Sequence, residues 1–153
     1  MTQNHRQKSW IRVVQAATGT TYSNARRRQL NWPTLAEVME EHEGLGNFGI
    51  GVFNSPRLAT EQRRAKLAVE REHLRRNEDS VVKTALWLRD NITPIKTLTA
   101  GSYGVKHLIE RATGAYLPNG VLIASAFIVG YPFRYDQPNV RFGMSQRDLN
   151  KLR

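Results

Sequence analysis

From Val121 to Gly130 the chain reads VLIASAFIVG, its longest apolar run, with Ser125 as the one polar residue. A helix needs about 20 apolar residues to cross a bilayer, so this run is too short to span one. Pro118-Asn119-Gly120 stands before it, and Gly130 followed by Pro132 supplies stop signals after it. The run therefore predicts a helix over 121–129 that is the most buried element of the fold. A strip this apolar would be sticky if exposed, which suits it to a core rather than to a recognition helix. At 153 residues and 40% hydrophobic, the chain is long enough to surround such a helix as one domain, or as a core domain with an appended helical piece.

The other segments read mostly as helices. Ser9 can cap a first helix in which Trp10, Val13, Val14 and Ala17 follow i, i+3, i+4, i+7 spacing. Thr18-Gly19-Thr20 stops it, and a second helix follows over 21–30. Thr34 and Glu37 form a capping box for a short helix through His42. Ser55-Pro56 opens a long stretch dense in Ala, Leu, Glu, Arg and Lys, with a break over 77–80 and a cap at Asp79 or Ser80. Val81, Val82, Ala85, Leu86 and Leu88 then give the inward face of another helix. A connector covers 91–101, and Ser102 reads as the cap of a helix ending at Thr113-Gly114. Two short strands, 133–135 and 140–142, flank a turn. Ser145 caps a last basic helix ending at Arg153.

Glu43 to Phe53 reads EGLGNFGIGVF, and four glycines in eight residues cannot form a stable helix interior. The segment predicts a loop with a short extended run at 50–53. The domain reading is an N-terminal helical unit over 1–43, a glycine-rich loop over 44–56, and a helical bundle with a C-terminal hairpin over 57–153. The fold class is mainly α, with a helix-turn-helix-like N-terminal unit and a short C-terminal β-hairpin. Helix, helix, hairpin from Ser102 onward is consistent with a winged-helix-like unit.

Charge points to the class of partner. The net charge is +10, and the first acidic residue is Glu37. The residues before it hold Arg6, Lys8, Arg12 and the triplet Arg26-Arg27-Arg28. One-sided charge on a small helical framework is the footprint of a protein that meets phosphate. Trp10 to Leu30, with Gly19 in its turn, has the look of a helix-turn-helix, and an ordinary helical hairpin with a solvated basic face is the plainer alternative. In its second helix Asn24, Arg27 and Arg28 share an exposed sector, and Tyr22 and Arg26 are further candidate contacts.

Arg63, Arg64 and Arg71 lie in a stretch interleaved with Glu61, Glu70 and Glu72. Glu61–Arg64 and Glu72–Arg76 have helical pairing distances, so a salt-bridged solvated face competes there with phosphate contact. Arg134 and Arg141 would sit on a wing lying along phosphates, or on a purely structural hairpin.

Other patterns carry less. Gly44-Leu45-Gly46-Asn47-Phe48-Gly49 matches GxGxxG literally, but a helix precedes it and no βαβ unit surrounds it. Its glycines suit a mobile loop or a close backbone approach. His5, His42, His73 and His107 show no metal-ligand spacing, so no metal or cofactor is expected. Lys106, His107 and Glu110 lie near Ser102 and Tyr103 in sequence. Ser102 reads as a cap and His107 as a helix-face residue, and no paired carboxylates suggest a nuclease, so no enzyme is expected. With no cysteine the chain fits a reducing compartment, and MTQNHRQK leads into no apolar signal core; a cytoplasmic protein with no membrane contact is expected.

The C-terminal third carries SYGVKH at 102–107, PNG at 118–120, an apolar helix ending in GY at 130–131, and FGMS at 142–145. Over roughly residues 85–150 this resembles a group of uncharacterised small proteins encoded on bacterial plasmids and other mobile elements. The resemblance implies a mobile-element setting and no chemistry.

The reading is a non-enzymatic nucleic-acid-binding protein, with DNA favoured over RNA because of the helix-turn-helix look and the scarcity of clustered aromatics for stacking single strands. The contacts would be Arg12, Tyr22, Asn24, Arg26, Arg27, Arg28, Arg63, Arg64, Arg134 and Arg141. The alternative is a protein-interaction module, either a basic subunit of a ribonucleoprotein complex or an inhibitor of a host defence complex, docking through the glycine loop and the C-terminal unit.

Overall fold

The structure, a computed structural model, describes residues 30–53 and 55–153. The expected helices from Ser9 through Gln29, with Arg12, Tyr22, Asn24, Arg26, Arg27 and Arg28, lie outside the described residues. Thr34–Arg153 forms one compact unit.

In chain order its elements are α1 (Leu35–Glu41), β1 (Leu45–Gly46), β2 (Gly49–Ile50), a 3-10 turn (Ser55–Arg57), α2 (Thr60–Arg76), α3 (Glu78–Asn91), β3 (Ala100–Gly101), α4 (Ser102–Thr113), α5 (Asn119–Val129), β4 (Phe133–Asp136), β5 (Asn139–Phe142) and α6 (Gln146–Asn150). The described residues are mainly helical, with two small antiparallel sheets, β1-β2 and β3-β5-β4.

The apolar run does form the core. Every residue of α5 from Asn119 to Ile128 is buried. Helix α5 packs most extensively on α3, and also meets α1, α4, both strands of the first sheet and β5. Ser125, the polar residue in the middle of α5, is satisfied locally and across the packing: its Oγ lies 2.6 Å from the Val121 carbonyl oxygen and 2.8 Å from that of Val81 on α3. Just past α5, the buried Tyr131 hydroxyl reaches the end of α3, 2.6 Å from the Ile92 carbonyl oxygen and 3.0 Å from that of Leu88. Burial pushes the Tyr131 phenol far up, so it stays a neutral donor at any ordinary pH.

Several local expectations hold. Thr34 and Glu37 close a reciprocal capping box, with Oγ1 accepting from Glu37 N at 3.0 Å and Thr34 N donating to Glu37 Oε2 at 3.2 Å. Ser145 caps α6 by accepting from Asp148 N, although the helix ends at Asn150 rather than at Arg153.

Others are corrected. Helix α3 starts directly at Glu78, so the break is Asn77 alone. Ser102 is not a cap. It lies within α4, fully buried, and its hydroxyl accepts from Val140 N at 3.1 Å, tying α4 to β5. A strand not foreseen, β3, pairs Ala100 with Phe142 and Gly101 with Arg141.

The segment read as a boundary loop over 44–56 contains a buried hairpin instead. Leu45 pairs with Ile50 and Gly46 with Gly49 around a two-residue tip, Asn47-Phe48. Neighbours pin this tip from several sides. Asn47 N donates to the Glu70 carbonyl on α2 at 3.0 Å, Gly120 N donates to the Asn47 carbonyl at 3.0 Å, and Ile50 N donates to the Pro138 carbonyl at 2.8 Å. Asn77 Nδ2 donates to Asn47 Oδ1 at 3.0 Å, so the Asn77 side chain serves the hairpin rather than capping α3. Backbone meets backbone here: a Cβ on Gly120 would lie 1.8 Å from the Gly46 carbonyl oxygen, and one on Gly49 (φ +141) would lie 2.4 Å from that of Pro138. The glycines thus permit close approach, the second of the two roles their pattern suggested.

Candidate functional site

Two features stand out on the unit: exposed basic residues on α2 and on the C-terminal hairpin, and a cleft lined by aromatic rings beside the glycine hairpin.

Helix α2 is exposed over most of its length, with Leu74 its one buried residue. Arg63 and Arg64 are solvent-exposed in its first half. Arg63 Nη2 reaches Thr60 Oγ1 at 3.3 Å. Pairing occurs further along, where Glu72 lies 3.5 Å from Arg75 and 3.7 Å from Arg76. The Glu61–Arg64 pair expected from spacing is not among these bridges, so the salt-bridged reading describes only the second half of α2.

Arg71 is lost as a phosphate contact. Its Nη2 donates to the Met39 carbonyl at 2.8 Å, and its Nη1 lies 3.0, 2.8 and 2.9 Å from the carbonyl oxygens of His42, Glu43 and Leu45. The guanidinium satisfies the open C-terminal end of α1 and the entry to the hairpin.

Arg134 and Arg141 face each other in the β4-β5 register, so their side chains share one face of the sheet. Like charges directly opposite repel. Asp136 relieves this, with Oδ2 at 3.1 Å from Arg141 Nε, and Arg134 is left as the exposed cation of the pair. The opposite face carries Phe133 and Tyr135 over Phe142 and Val140. The two arginine pairs belong to different elements, since α2 packs on β1 and α3 while β4 packs on β5.

His42, which showed no metal-ligand spacing, is buried among aromatic rings. It stacks on Phe127 with centroids 3.8 Å apart and planes 5° from parallel, and its Nδ1 hydrogen-bonds the Tyr135 hydroxyl. Burial lowers the His42 pKa from its ordinary 6.5, with Glu41 opposing more weakly, so the neutral ring is favoured. Among the described residues, no group of three His, Asp or Glu is placed to hold a metal ion, and no helix is long and apolar enough to cross a membrane.

The cleft has a volume of about 680 Å³. Asn47, Phe48 and Phe53 come from the glycine hairpin and the chain after it, Lys66 and Glu70 from α2, Tyr103 and Lys106 from α4, and Asn119 from the start of α5. Tyr116, in the α4–α5 connector, is 82% exposed, and Phe48, Phe53 and Tyr103 are also exposed. Lys106 is buried beside them. Its Nζ lies 2.7 Å from Glu110 Oε1, and 5.3 and 5.7 Å from the ring centroids of Tyr116 and Tyr103, within cation–π range. Glu110 also accepts from Leu117 N at 3.1 Å and lies 3.2 Å from His107 Nδ1. The hydrogen bond from Lys106 chiefly holds the Glu110 carboxyl below its ordinary pKa. Lys106, His107 and Glu110 thus do meet, as a structural cluster anchoring the connector.

Asn119 Nδ2 donates to the Phe48 carbonyl at 3.3 Å and to Asn139 Oδ1 at 3.0 Å, while its own Oδ1 is buried with no hydrogen-bond partner. None of these cleft residues was among the nucleic-acid contacts expected from sequence, although Asn47, Phe48 and Phe53 belong to the glycine loop named as a docking surface in the alternative reading. Their rings are scattered from 48 to 116, so no local spacing signals the cluster, and the scarcity of clustered aromatics inferred from sequence is corrected.

No protein-family model, no curated protein and no solved structure matches this chain.

Proposed function

We propose that this chain is a non-enzymatic nucleic-acid-binding protein of a mobile genetic element, with duplex DNA as its favoured partner. The observation that carries the reading is the distribution of charge. All 13 Asp and Glu follow Pro33, while six of the 23 Lys and Arg precede it, so the first 33 residues carry +6 of the net +10. A segment with that balance is drawn to phosphate and releases counterions on binding.

Arg12, Tyr22, Asn24, Arg26, Arg27 and Arg28 are the contacts proposed from that segment, in a helix-turn-helix-like arrangement. Arg63, Arg64 and Arg134 are exposed cations on the described unit that can make phosphate contacts of their own, with Arg141 partly neutralised by Asp136. The order helix, β3, helix, helix, hairpin, with β5 between β3 and β4, supports reading residues 78–142 as winged-helix-like. In that reading α5 occupies the recognition-helix position yet is buried, so base contacts from α5 are not part of the proposal. The resemblance to plasmid-borne proteins supports the mobile-element setting.

The test is a salt titration of binding to random duplex DNA, single-stranded DNA and structured RNA, with the full chain and with Arg26, Arg27 and Arg28 changed together to alanine. A steep salt slope that favours duplex, and falls by roughly 0.9 per arginine in the triple variant, is the expected result. Equal and weak binding to all three would defeat the reading and favour a protein partner. The cluster of exposed aromatic rings around the cleft is the observation that keeps this second reading in view.

A further inference from the structure

The cleft beside the glycine hairpin assembles three kinds of group around one volume. The first is a set of aromatic rings left in solvent: Phe48, Phe53, Tyr103 and Tyr116. Exposed rings around a concavity are platforms for another flat ring. The second is a buried acceptor with nothing to accept. Asn119 Nδ2 is committed to Phe48 and Asn139, which fixes the amide orientation and leaves Oδ1 without a donor. The atom is closed to solvent, so a ligand N–H reaches it only where the cleft wall gives way, and an unpaired buried acceptor favours that contact. The third is charge. Lys106 is spent on Glu110, but Lys66 stands at the cleft in no ion pair with a described residue, one helical turn from the Glu70 carboxylate.

A ligand that answers all three is planar and aromatic, carries amino or imino N–H groups, and bears an anion on a flexible arm. We propose that this cleft is a nucleotide site. The base inserts among the rings with an N–H turned toward Asn119, and the phosphate lies toward Lys66. A volume of about 680 Å³ accommodates one base with its sugar. A base stacked in a duplex cannot enter, so the source is a single-stranded or unpaired stretch, or a free nucleotide. The rings and the asparagine that would hold the base, Phe48, Phe53, Tyr103, Tyr116 and Asn119, are not among the residues proposed to meet duplex DNA.

The experiment uses the full chain, isotopically labelled, titrated with AMP, CMP and UMP and with single-stranded hexamers of adenine, cytosine or uracil. The side-chain amide signals of Asn119 and Asn139 should move with each base, since adenine, cytosine and uracil all carry an N–H donor. Tyr103→Ala and Tyr116→Ala remove exposed rings and leave the core intact. Each should weaken binding by about 5- to 100-fold, in line with the loss of one stacking partner. Tyr116→Phe should bind like the parent, and Lys66→Gln should flatten the salt dependence. Hexamers binding more tightly than mononucleotides would identify a strand as the source, and equal affinities a free nucleotide. Unmoved Asn119 signals, alanine variants within twofold of the parent, or a cleft that takes up only peptide would overturn the proposal. Duplex affinity unchanged in the tyrosine variants would keep this result distinct from the basic-surface reading.

Discussion

Arg71 Nη2 lies 2.8 Å from the Met39 carbonyl oxygen, so a side chain from the middle of α2 closes the C-terminal end of α1. Its other amino group serves the carbonyls of His42, Glu43 and Leu45. Replacing Arg71 by alanine should destabilise the chain by about 2–4 kcal/mol, because several partly buried carbonyls lose a charged donor together. Lysine should recover little, since one ammonium cannot reproduce the planar fork. Arg63→Ala, on the exposed half of the same helix, should change stability by no more than about 0.5 kcal/mol. Urea unfolding of the three variants checks the contrast.

Gly120 and Gly104 make a second contrast. A Cβ at Gly120 would collide with the Gly46 carbonyl oxygen, while one at Gly104 meets nothing within 4 Å. Gly120→Ala should cost about 3 kcal/mol or more, because the hairpin backbone must move away from α5. Gly104→Ala, within α4, should be neutral or stabilising by up to about 1 kcal/mol. Thermal melts of both variants would show the opposite signs.

Tyr131 tests how α3 ends. Phenylalanine keeps the packing but removes the hydroxyl that reaches the carbonyls of Ile92 and Leu88. A loss of about 1–2 kcal/mol is expected from leaving buried acceptors short of a donor, measured by denaturant unfolding.

The buried His42 makes stability depend on pH in a definite direction. Its pKa in the folded chain is lowered from 6.5, so between the two values the unfolded chain binds more protons. Stability from this group is therefore complete above 6.5 and falls as pH drops toward the folded value. Asp148 adds a lower step. Hydrogen bonds from Thr93 hold its carboxyl below its ordinary pKa, and that stability is lost as the carboxyl is protonated. Melting temperatures of the parent and of His42→Phe from pH 7.5 to 5 should diverge, with the parent falling more steeply.

Asp136 restrains the charge on the hairpin by pairing with Arg141. If the hairpin lies along phosphates, Asp136→Asn should steepen the salt slope of duplex binding by up to about 0.9, and Arg134→Ala should reduce it by about the same amount. Salt titrations of the two variants should move in opposite directions.

Much of the local structure was legible in sequence because its causes lie within a few residues. The Thr34–Glu37 capping box spans one helical turn. The burial of α5 follows from its apolar side chains, and the β4-β5 hairpin from two alternating runs around a turn. Helical spacing also named the right partners for Glu72 and Arg76. It failed for Ser102, because a serine before an apolar face reads as a cap whether its hydroxyl meets its own helix or, as here, the Val140 amide of a distant strand.

The candidate sites divide along the same line. Sequence alone determined the amount of positive charge, its concentration ahead of the first acidic residue, and the presence of one helix too apolar to be anything but core. Only the tertiary structure decided that Arg71 is an internal clamp, that the glycine segment is a buried hairpin, that Asp136 shields Arg141, and that Phe48, Tyr103, Tyr116 and Asn119 line one cleft. The reason is distance along the chain. Charge and periodicity are sums over neighbouring residues, whereas the partner of a long side chain is set by which remote backbone the packing of α5 brings within about 3 Å of it.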